Sequence, residues 1–460
     1  MELQRKQYQK LLEWKQSSQG STAMLIEGAR RVGKSTMAEK LGKEQYRSYV
    51  MVDFARASKR IRDNYEENLN DLDTFFQVIS LEYGVELHRR ESLIILDEIQ
   101  RFSKAREALK YLVADGRYDF LETGSLISIK ENVEGIVIPS EEQKLSLHPL
   151  DFEEFCWAQG EKVLADHIRA CWRLRQALDD RFHRRAMRLF REYLLVGGMP
   201  QSVVAYLEHD KGFSYADGQK RQILTLYRDD VHKAVRRYRS RVSAVFENIP
   251  GFLSTHEKRI VLRQVEPGVI FGQYDDPLFW LGDSMMCNLC YRCNDPSVGL
   301  ALNRDNSAVK CYMADTGLLV SMAFSENEIA DEKLYRQIMR GRLSLNEGMI
   351  HENAIAQELA SQGKALYFYT HYSKEKHRND IEVDFLISTG GKTNYRTVPI
   401  EVKSSKNYTK LSYERFRQRF GKRVGEGIVV HPKQLQRDEW GWRVPSYMFF
   451  CSLEGSAGSA

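Results

Sequence analysis

Along the first part of the chain, short apolar runs alternate with amphipathic stretches, the pattern of a sheet whose strands are separated by helices. The predicted strands are MLIE at 24–27, RSYVMVDF at 47–54, SLIILD at 92–97 and RYDFLETGSL at 117–126. The run at 92–97 is apolar at nearly every position, as in a strand covered on both faces, so a parallel α/β sheet is expected. Before it, MELQRKQYQKLLEWKQ spaces its apolar residues as an amphipathic helix. Residues 161–192 read as helical and basic, and 242–322 as several short helices and strands. NEGMIHENAIAQELASQG at 346–363 predicts a further helix, followed by strands at KALYFYTH, NDIEVDFLIS (379–388) and TVPIEVKSS (397–405).

Composition refines this picture only slightly. A length of 460 residues suggests about three domains, and 42% apolar with 28% charged residues is usual for a globular protein. No run of about 18 apolar residues occurs, which argues against a membrane span, and the N-terminal helix lacks the apolar core of a secretory signal. A cytoplasmic location is therefore expected, and the 7 cysteines suit a reducing compartment better than a disulfide framework. The net charge of +5 permits a nucleic-acid partner without requiring one. GSAGSA at 455–460 reads as a flexible linker outside the fold.

The first strand runs into Gly28, Ala29, Arg30, Arg31, Val32, Gly33, Lys34 and Ser35, and then into a helix at Thr36. This strand, loop and helix is the setting of a phosphate-binding loop, in which backbone amides wrap the phosphates and the helix N-terminus adds its positive end. Lys34 is expected at the β and γ phosphates of ATP, and Ser35 on magnesium. The strand at 92–97 ends in Asp97 followed by Glu98, and packing alone gives no reason for adjacent acids there. Asp97 is the expected further magnesium ligand, and Glu98 the general base that polarises the attacking water. Thr123 and Ser125 lie at the carboxyl end of the next strand, where open α/β sheets bind ligands. Either suits a γ-phosphate sensor, and Ser125 is counted with Lys34 and Glu98 as catalytic.

Taken together, GARRVGKST, LDEIQRF, ETGSL, LHPLDFEEF (147–155), YLLVGGMPQSV (193–203), YRDDV (227–231) and KCYMADTGLLVSM (310–322) resemble the AAA+ ATPases of bacteria and archaea that carry a DUF4143 region. The likeness covers most of the chain. It implies a helical lid whose glycine–proline turn brings Gly198 and Pro200 to the nucleotide, a winged-helix module, and a homo-oligomer. Members of that family usually show a Gly-Arg pair before the PL-x-F motif, where this chain has Ser140 and Glu141. An arginine finger would then come from Arg101, Arg228, Arg236 or Arg237, or hydrolysis would be slow.

Arg169, Arg173, Arg175, Arg181, Arg184, Arg185, Arg188 and Arg191 give 161–192 what is usually a solvated basic face. Arg221, Arg228, Lys233, Arg236, Arg237, Arg239 and Arg241, against Asp229 and Asp230, form a denser excess suited to a phosphate backbone. Cys287, Cys290 and Cys293 have the spacing of a metal or cluster site and equally of one helix face, where cysteine packs as a small apolar residue. Core packing is the favoured reading, because Cys311, the candidate fourth ligand, has no motif around it.

In a strand, residues i and i+2 face the same way, so Glu401 and Lys403 project together, and Asp384 joins them if its strand is adjacent. With Glu352 on the preceding helix, this arrangement resembles the PD-(D/E)xK nuclease fold. The resemblance implies magnesium on Asp384 and Glu401, with Lys403 orienting the nucleophile; the alternative is a retained fold that only binds. A basic segment follows, carrying Lys406, Lys410, Arg415, Arg417, Arg419, Lys422 and Arg423, interleaved with Tyr408, Tyr413, Phe416 and Phe420 at a helical spacing that suits a core.

The expected architecture is an α/β P-loop NTPase core of AAA+ type at 1–155, a parallel sheet with helices on both faces. A helical lid at 156–235, a winged-helix-like region at 236–345 and a restriction-endonuclease-like α/β domain at 346–454 follow. The expected function is magnesium-dependent ATP binding and hydrolysis coupled to binding or remodelling of DNA, with or without nuclease activity. The alternative is a signalling or regulatory ATPase whose nuclease-like domain is a non-catalytic binding module.

Overall fold

The computed structural model describes residues 1–453 apart from 126–140, 235–236, 267, 269–270, 298, 325–330, 341–345, 374, 376, 390–395, 406 and 410. Ser140, Arg236, Lys406, Lys410 and the tail at 455–460 thus lie outside the described residues. The chain divides into two compact units, one of 5–148 with 283–285, the other of 1–4, 149–282 and 286–460.

The unit of 5–148 is built on β1 (Ala23–Glu27), β2 (Ser48–Asp53), β3 (Ser92–Asp97), β4 (Asp119–Gly124) and β5 (Glu142–Ser146), ordered β2-β3-β4-β1-β5 with every neighbouring pair parallel. β3 and β4 are buried along their whole length, as apolar strands covered on both faces must be. Alternate residues Leu25, Val50, Val52, Ile94, Leu96 and Phe120 join a core with side chains from the helices Lys59–Glu67, Leu72–Tyr83 and Ser103–Asp115, Tyr65, Phe75 and Leu109 among them. Helix α1 (Lys34–Gln45) packs on β2, β3 and β4. Because β4 lies between β1 and β3, the carboxyl ends of these three strands are neighbours, and the loop after β1 opens beside the acids that end β3. The expected parallel α/β sheet is the one observed.

Glu122 on β4 is a buried carboxyl whose oxygens have no hydrogen-bond partner among the described residues. Burial, reinforced by Glu142 and opposed by Arg106, pushes it up to about 8. The Arg106 guanidinium is committed instead to Glu142, at 2.6 Å in an equally buried ion pair.

In the other unit an eight-stranded sheet runs β12 (Gln436–Asp438), β13 (Gly441–Pro445), β11 (Gly427–His431), β10 (Arg396–Val402), β9 (Arg378–Thr389), β8 (Leu366–Ser373), β6 (Cys287–Cys293) and β7 (Arg304–Met313). Helices α2 (Glu347–Ser361) and α3 (Leu411–Phe420) pack on it. The helix and strands predicted from 346 onward therefore form as expected, within the compact unit that also holds 149–282. β6 pairs in parallel with β8, Cys290 opposite Leu366, so strands expected in a winged-helix-like region extend the C-terminal sheet. Nor do the two compact units part at 235. Helix Asp180–Val196 is joined to α2 by a 2.9 Å bond from Gln357 Nε2 to Tyr193 Oη, and to the C-terminal segment by His183 Nδ1 at 3.0 Å from Tyr447 Oη. The cysteine triplet lies on strand β6 and not on a helix face, which turns Cys287 and Cys290 to opposite sides of the sheet and removes a shared ion. Among the described residues no helix is long and apolar enough to cross a membrane.

Glu122 yields a pH prediction. Unfolded, the carboxyl titrates near its ordinary 4.5, and folded, near 8. The folded chain holds the extra proton across that interval, so the Glu122 contribution to stability is full below 4.5 and is lost as pH rises toward 8. Replacing Glu122 with Gln removes the titration. Relative to wild type the variant should therefore gain stability between pH 5 and pH 8, by roughly 3 kcal/mol at pH 7. Urea unfolding of both proteins across this range measures it, and a difference that stays flat with pH would refute it.

Candidate functional site

Between Glu27, the last residue of β1, and Lys34, the first of α1, the chain makes an irregular loop. A Cβ on Gly28 would stand 2.4 Å from Leu147 O, so only glycine allows the loop to leave the strand beside the segment that follows β5. Arg31 at φ +70° and Gly33 at φ +97° take left-handed turns, the conformation that lines successive amides into an anion-binding concavity. Ala29 and Val32 are buried and seat the loop, whereas Arg31 and Thr36 face solvent and Arg30 is half-buried. The Lys34 ammonium is buried, donating to Gly28 O at 2.9 Å and Ala29 O at 3.0 Å. The loop is further held by Arg5, which the sequence gave no motif to reveal. Its Nη1 donates to Val32 O at 3.0 Å and its Nη2 to His148 O at 2.5 Å. Burial, with help from Arg5 and Lys10, brings the His148 imidazole down to about 4.

Asp97 Oδ1 accepts hydrogen bonds from Ser35 Oγ at 2.7 Å and from Thr123 Oγ1. The start of α1, β3 and β4 therefore meet on one carboxylate. Thr123 Oγ1 in turn accepts from the Glu98 amide at 3.4 Å. Of the two sensor candidates, Thr123 is drawn into this cluster and Ser125 lies just past the end of β4. Glu98 has φ +53°, uncommon for a residue with a Cβ, and its Oε2 accepts from Gln100 Nε2 at 2.6 Å with Arg101 Nε at 3.9 Å. Gln100 is a second residue missed from the sequence, although its place beside the acid pair was the available signal. A hydroxyl and a carboxylate in contact at the mouth of an amide-lined loop are hard oxygen donors, so Ser35 and Asp97 fit a magnesium ion that also takes phosphate oxygens.

Gly198 and Pro200 belong to the other unit. There Gly198 donates its amide to Asp315 Oδ2 at 2.5 Å, and a Cβ on it would stand 2.1 Å from Leu150 O. Pro200 is the first residue of helix Pro200–Glu208. Within this unit close backbone packing requires a glycine at 198, and the fixed φ of a first-turn proline suits Pro200.

The acids predicted on the C-terminal sheet do converge. Glu352, on α2 and fully buried, accepts from Lys310 Nζ at 3.0 Å, from Tyr312 Oη and from Lys258 Nζ. Lys310 Nζ also stands 3.9 Å from Asp384 Oδ1 and 3.9 Å from Glu382 Oε1. Asp384 Oδ2 accepts the Val402 amide at 2.8 Å, and Lys403 Nζ pairs with Glu401 Oε2 at 2.9 Å. Burial works to raise Glu352, but Lys258 and Lys310 outweigh it and hold the carboxyl down to about 2. Burial pushes Glu401 up to about 7 against the pull of Lys403. Glu352, Asp384, Glu401 and Lys403 thus share one site, but with lysines from outside the predicted motif already neutralising it. Glu401 Oε1 is buried without a hydrogen-bond partner among the described residues, whereas Asp384 Oδ1 faces the Lys310 ammonium, so a magnesium ion on this pair would meet a resident cation at Asp384.

The basic stretches differ in how much charge they leave available. Arg169 is paired with Glu153, Arg185 with Glu161, Arg221 with Asp217, Arg228 with Glu247 and Arg241 with Glu266. Arg228 is therefore engaged as an arginine-finger candidate. Around α3 the partners are mostly neutral: Arg415 donates to Asp380 O at 3.1 Å, and Arg417 to Trp440 O at 2.9 Å. Tyr413, Phe416 and Phe420 are buried, as their spacing predicted. Beside the helix a depression of about 490 Å³ is lined by Arg396, Arg417, Gln418, Gly421, Val424 and Trp440.

Residues 20–156 match the family model of an AAA domain, and 187–328 and 347–447 match those of two domains of unknown function, DUF8612 and DUF4143. The middle match runs across the expected boundary at 235, as the structure does. No curated protein matches the chain. Among solved structures it is similar to a Signal Transduction ATPase with Numerous Domains protein with a tetratricopeptide repeat sensor from Pyrococcus horikoshii, at 12% identity over 79% of this chain and 46% of that one, with a TM-score of 0.28. It is also similar to the Aeropyrum pernix ORC1 protein in complex with DNA, at 12% identity over 71% of this chain and 94% of that one, with a TM-score of 0.27. The chain spans less than half the length of the first of these, and likeness at such scores carries no argument about function. The family models and the observed sheet agree at the level of the domain: the chain carries an AAA domain of α/β fold and, toward its C-terminal end, a DUF4143 domain.

Proposed function

We propose that the chain binds ATP with magnesium at the loop of 28–36, hydrolyses it, and couples this to DNA held by the C-terminal unit. The observation that carries the ATPase reading is the single carboxylate of Asp97 joined to the hydroxyls of Ser35 and Thr123. In this reading Lys34 exchanges its carbonyl partners for phosphate oxygens, and Ser35 and Asp97 hold the magnesium ion, which offsets charge on the triphosphate when bound. Glu98, with its carboxylate oriented by the Gln100 amide, takes a proton from the attacking water. Thr123 and Ser125 sit at the strand end where a γ-phosphate would be sensed. Arg101, half exposed beside Glu98, is the arginine best placed to meet charge that develops during transfer.

The DNA half of the proposal rests on α3. An arginine bonded to a carbonyl keeps its whole positive charge for an outside partner, whereas one bonded to a carboxylate does not. Arg417 meets the first description, and the depression that it lines with Arg396 and Trp440 offers cations beside an aromatic face, the combination that holds a phosphate next to a base.

Lys34→Ala should abolish uptake of a fluorescent ATP analogue. Glu98→Gln should retain uptake but lower steady-state ATP turnover by about 10² to 10⁴; unchanged turnover would remove Glu98 from the chemistry. For DNA, the double variant Arg417→Ala, Arg419→Ala should weaken binding and flatten the dependence of log affinity on log salt by about 1 to 2. An unaltered slope would place the contact elsewhere.

A further inference from the structure

We infer that Lys310 is a built-in cation that serves Glu352, Glu382 and Asp384 of the C-terminal unit in place of a divalent metal. The inference does not depend on the ATPase reading, because every residue it uses lies in the other unit. Lys310 is on β7, opposite Cys290 of β6, and its ammonium passes 5.1 Å from the Phe368 ring of β8 to reach the acids of α2 and β9. The side chain is wholly buried, so it cannot be a solvated surface lysine folded inward.

Its surroundings are those of a bound cation. Glu352 of α2 faces it at 3.0 Å, and Glu382 and Asp384 of β9 each at 3.9 Å. Both oxygens of Glu352 are engaged by donors: Oε1 is shared by Lys310 and Tyr312, and Oε2 accepts from Lys258. Asp384 spends its second oxygen on the Val402 amide, and Lys403 meets Glu401 at Oε2, which leaves Glu401 Oε1 buried without a hydrogen-bond partner among the described residues. The carboxylates Glu352, Glu382, Asp384 and Glu401 are thus opposed by the ammonium groups of Lys258, Lys310 and Lys403. A divalent ion added to this set would meet nearly balanced charge and would have to displace an amine that is covalently tethered at the spot. The competition is intramolecular, and the lysine is present at an effective concentration that a free ion does not match.

The test uses the full chain without nucleotide, titrated with Mn²⁺ and followed by the loss of the free-ion paramagnetic resonance signal. Wild type and Asp384→Asn should take up the same amount. Lys310→Met should take up one additional Mn²⁺ per chain, and Lys310→Met with Asp384→Asn should lose it again. Wild-type uptake that Asp384→Asn abolishes would overturn the inference, as would a folded Lys310→Met that gains nothing. If Lys310→Met does not fold, the wild-type comparison decides alone, together with incubation of single- and double-stranded DNA with Mg²⁺ or Mn²⁺. Cleavage by wild type that Asp384→Asn removes would overturn the inference, and intact DNA in both would support it. Metal uptake is read without ATP or DNA, so failure here is distinct from failure of the proposed ATPase or DNA-binding activity.

Discussion

A carboxylate at the end of a buried strand needs donors, and in the unit of 5–148 the way Asp97 finds them organises everything around it. β3 is apolar and covered on both faces, so its terminal acid emerges between neighbouring strands rather than into bulk water. The donors come from the start of α1 and from the end of β4, both hydroxyls. Two hydroxyls satisfy the anion without neutralising it, leaving its charge for something positive that arrives from outside. An ammonium in the same position would have closed the site. The order of strands makes this possible, because inserting β4 between β1 and β3 brings a threonine and a serine to the same oxygen.

The second sheet shows the opposite solution to the same constraint. Glu352 is as buried as any group in the chain, and it is met by two lysines and a tyrosine. Breaking such a set by removing one partner is costly, because the remaining charges stay buried. The cluster ties α2, β7 and β9 into a single unit, and Lys258 brings in the segment before β6. Similar logic runs through the helices: Lys220 is wholly buried, donating to Leu195 O at 2.7 Å and Tyr335 Oη at 3.1 Å, and burial outweighs Asp217 to bring it down to about 8.

Much of the first unit was legible in the sequence because its chemistry is local. Gly28, Gly33, Lys34 and Ser35 are contiguous, and the spacing of Asp97 from them needs only a parallel sheet to bring it near. The strands were readable because unbroken apolar runs such as 92–97 have few other uses. Arg5 and Gln100 were not legible, since each acts on a partner that only the fold supplies. In the second unit, local pattern found α2, β8, β9 and β10, and even which acids meet. It failed where the contact is long-range. Lys310 lies in β7, in a segment that read as part of another domain, and nothing in its neighbours announces that its amine reaches Asp384. The pairing of β6 with β8 was out of reach for the same reason, because it has no signature in either strand alone.

The grip of Arg5 on two carbonyls has a mechanical consequence. Val32 belongs to the loop that would close on phosphates, and His148 is the residue at which the polypeptide leaves this unit for the rest of the chain. A single planar guanidinium bonded to both behaves as a strut: the loop and the segment after β5 are held at a fixed separation, so that a shift of either is resisted by the same group.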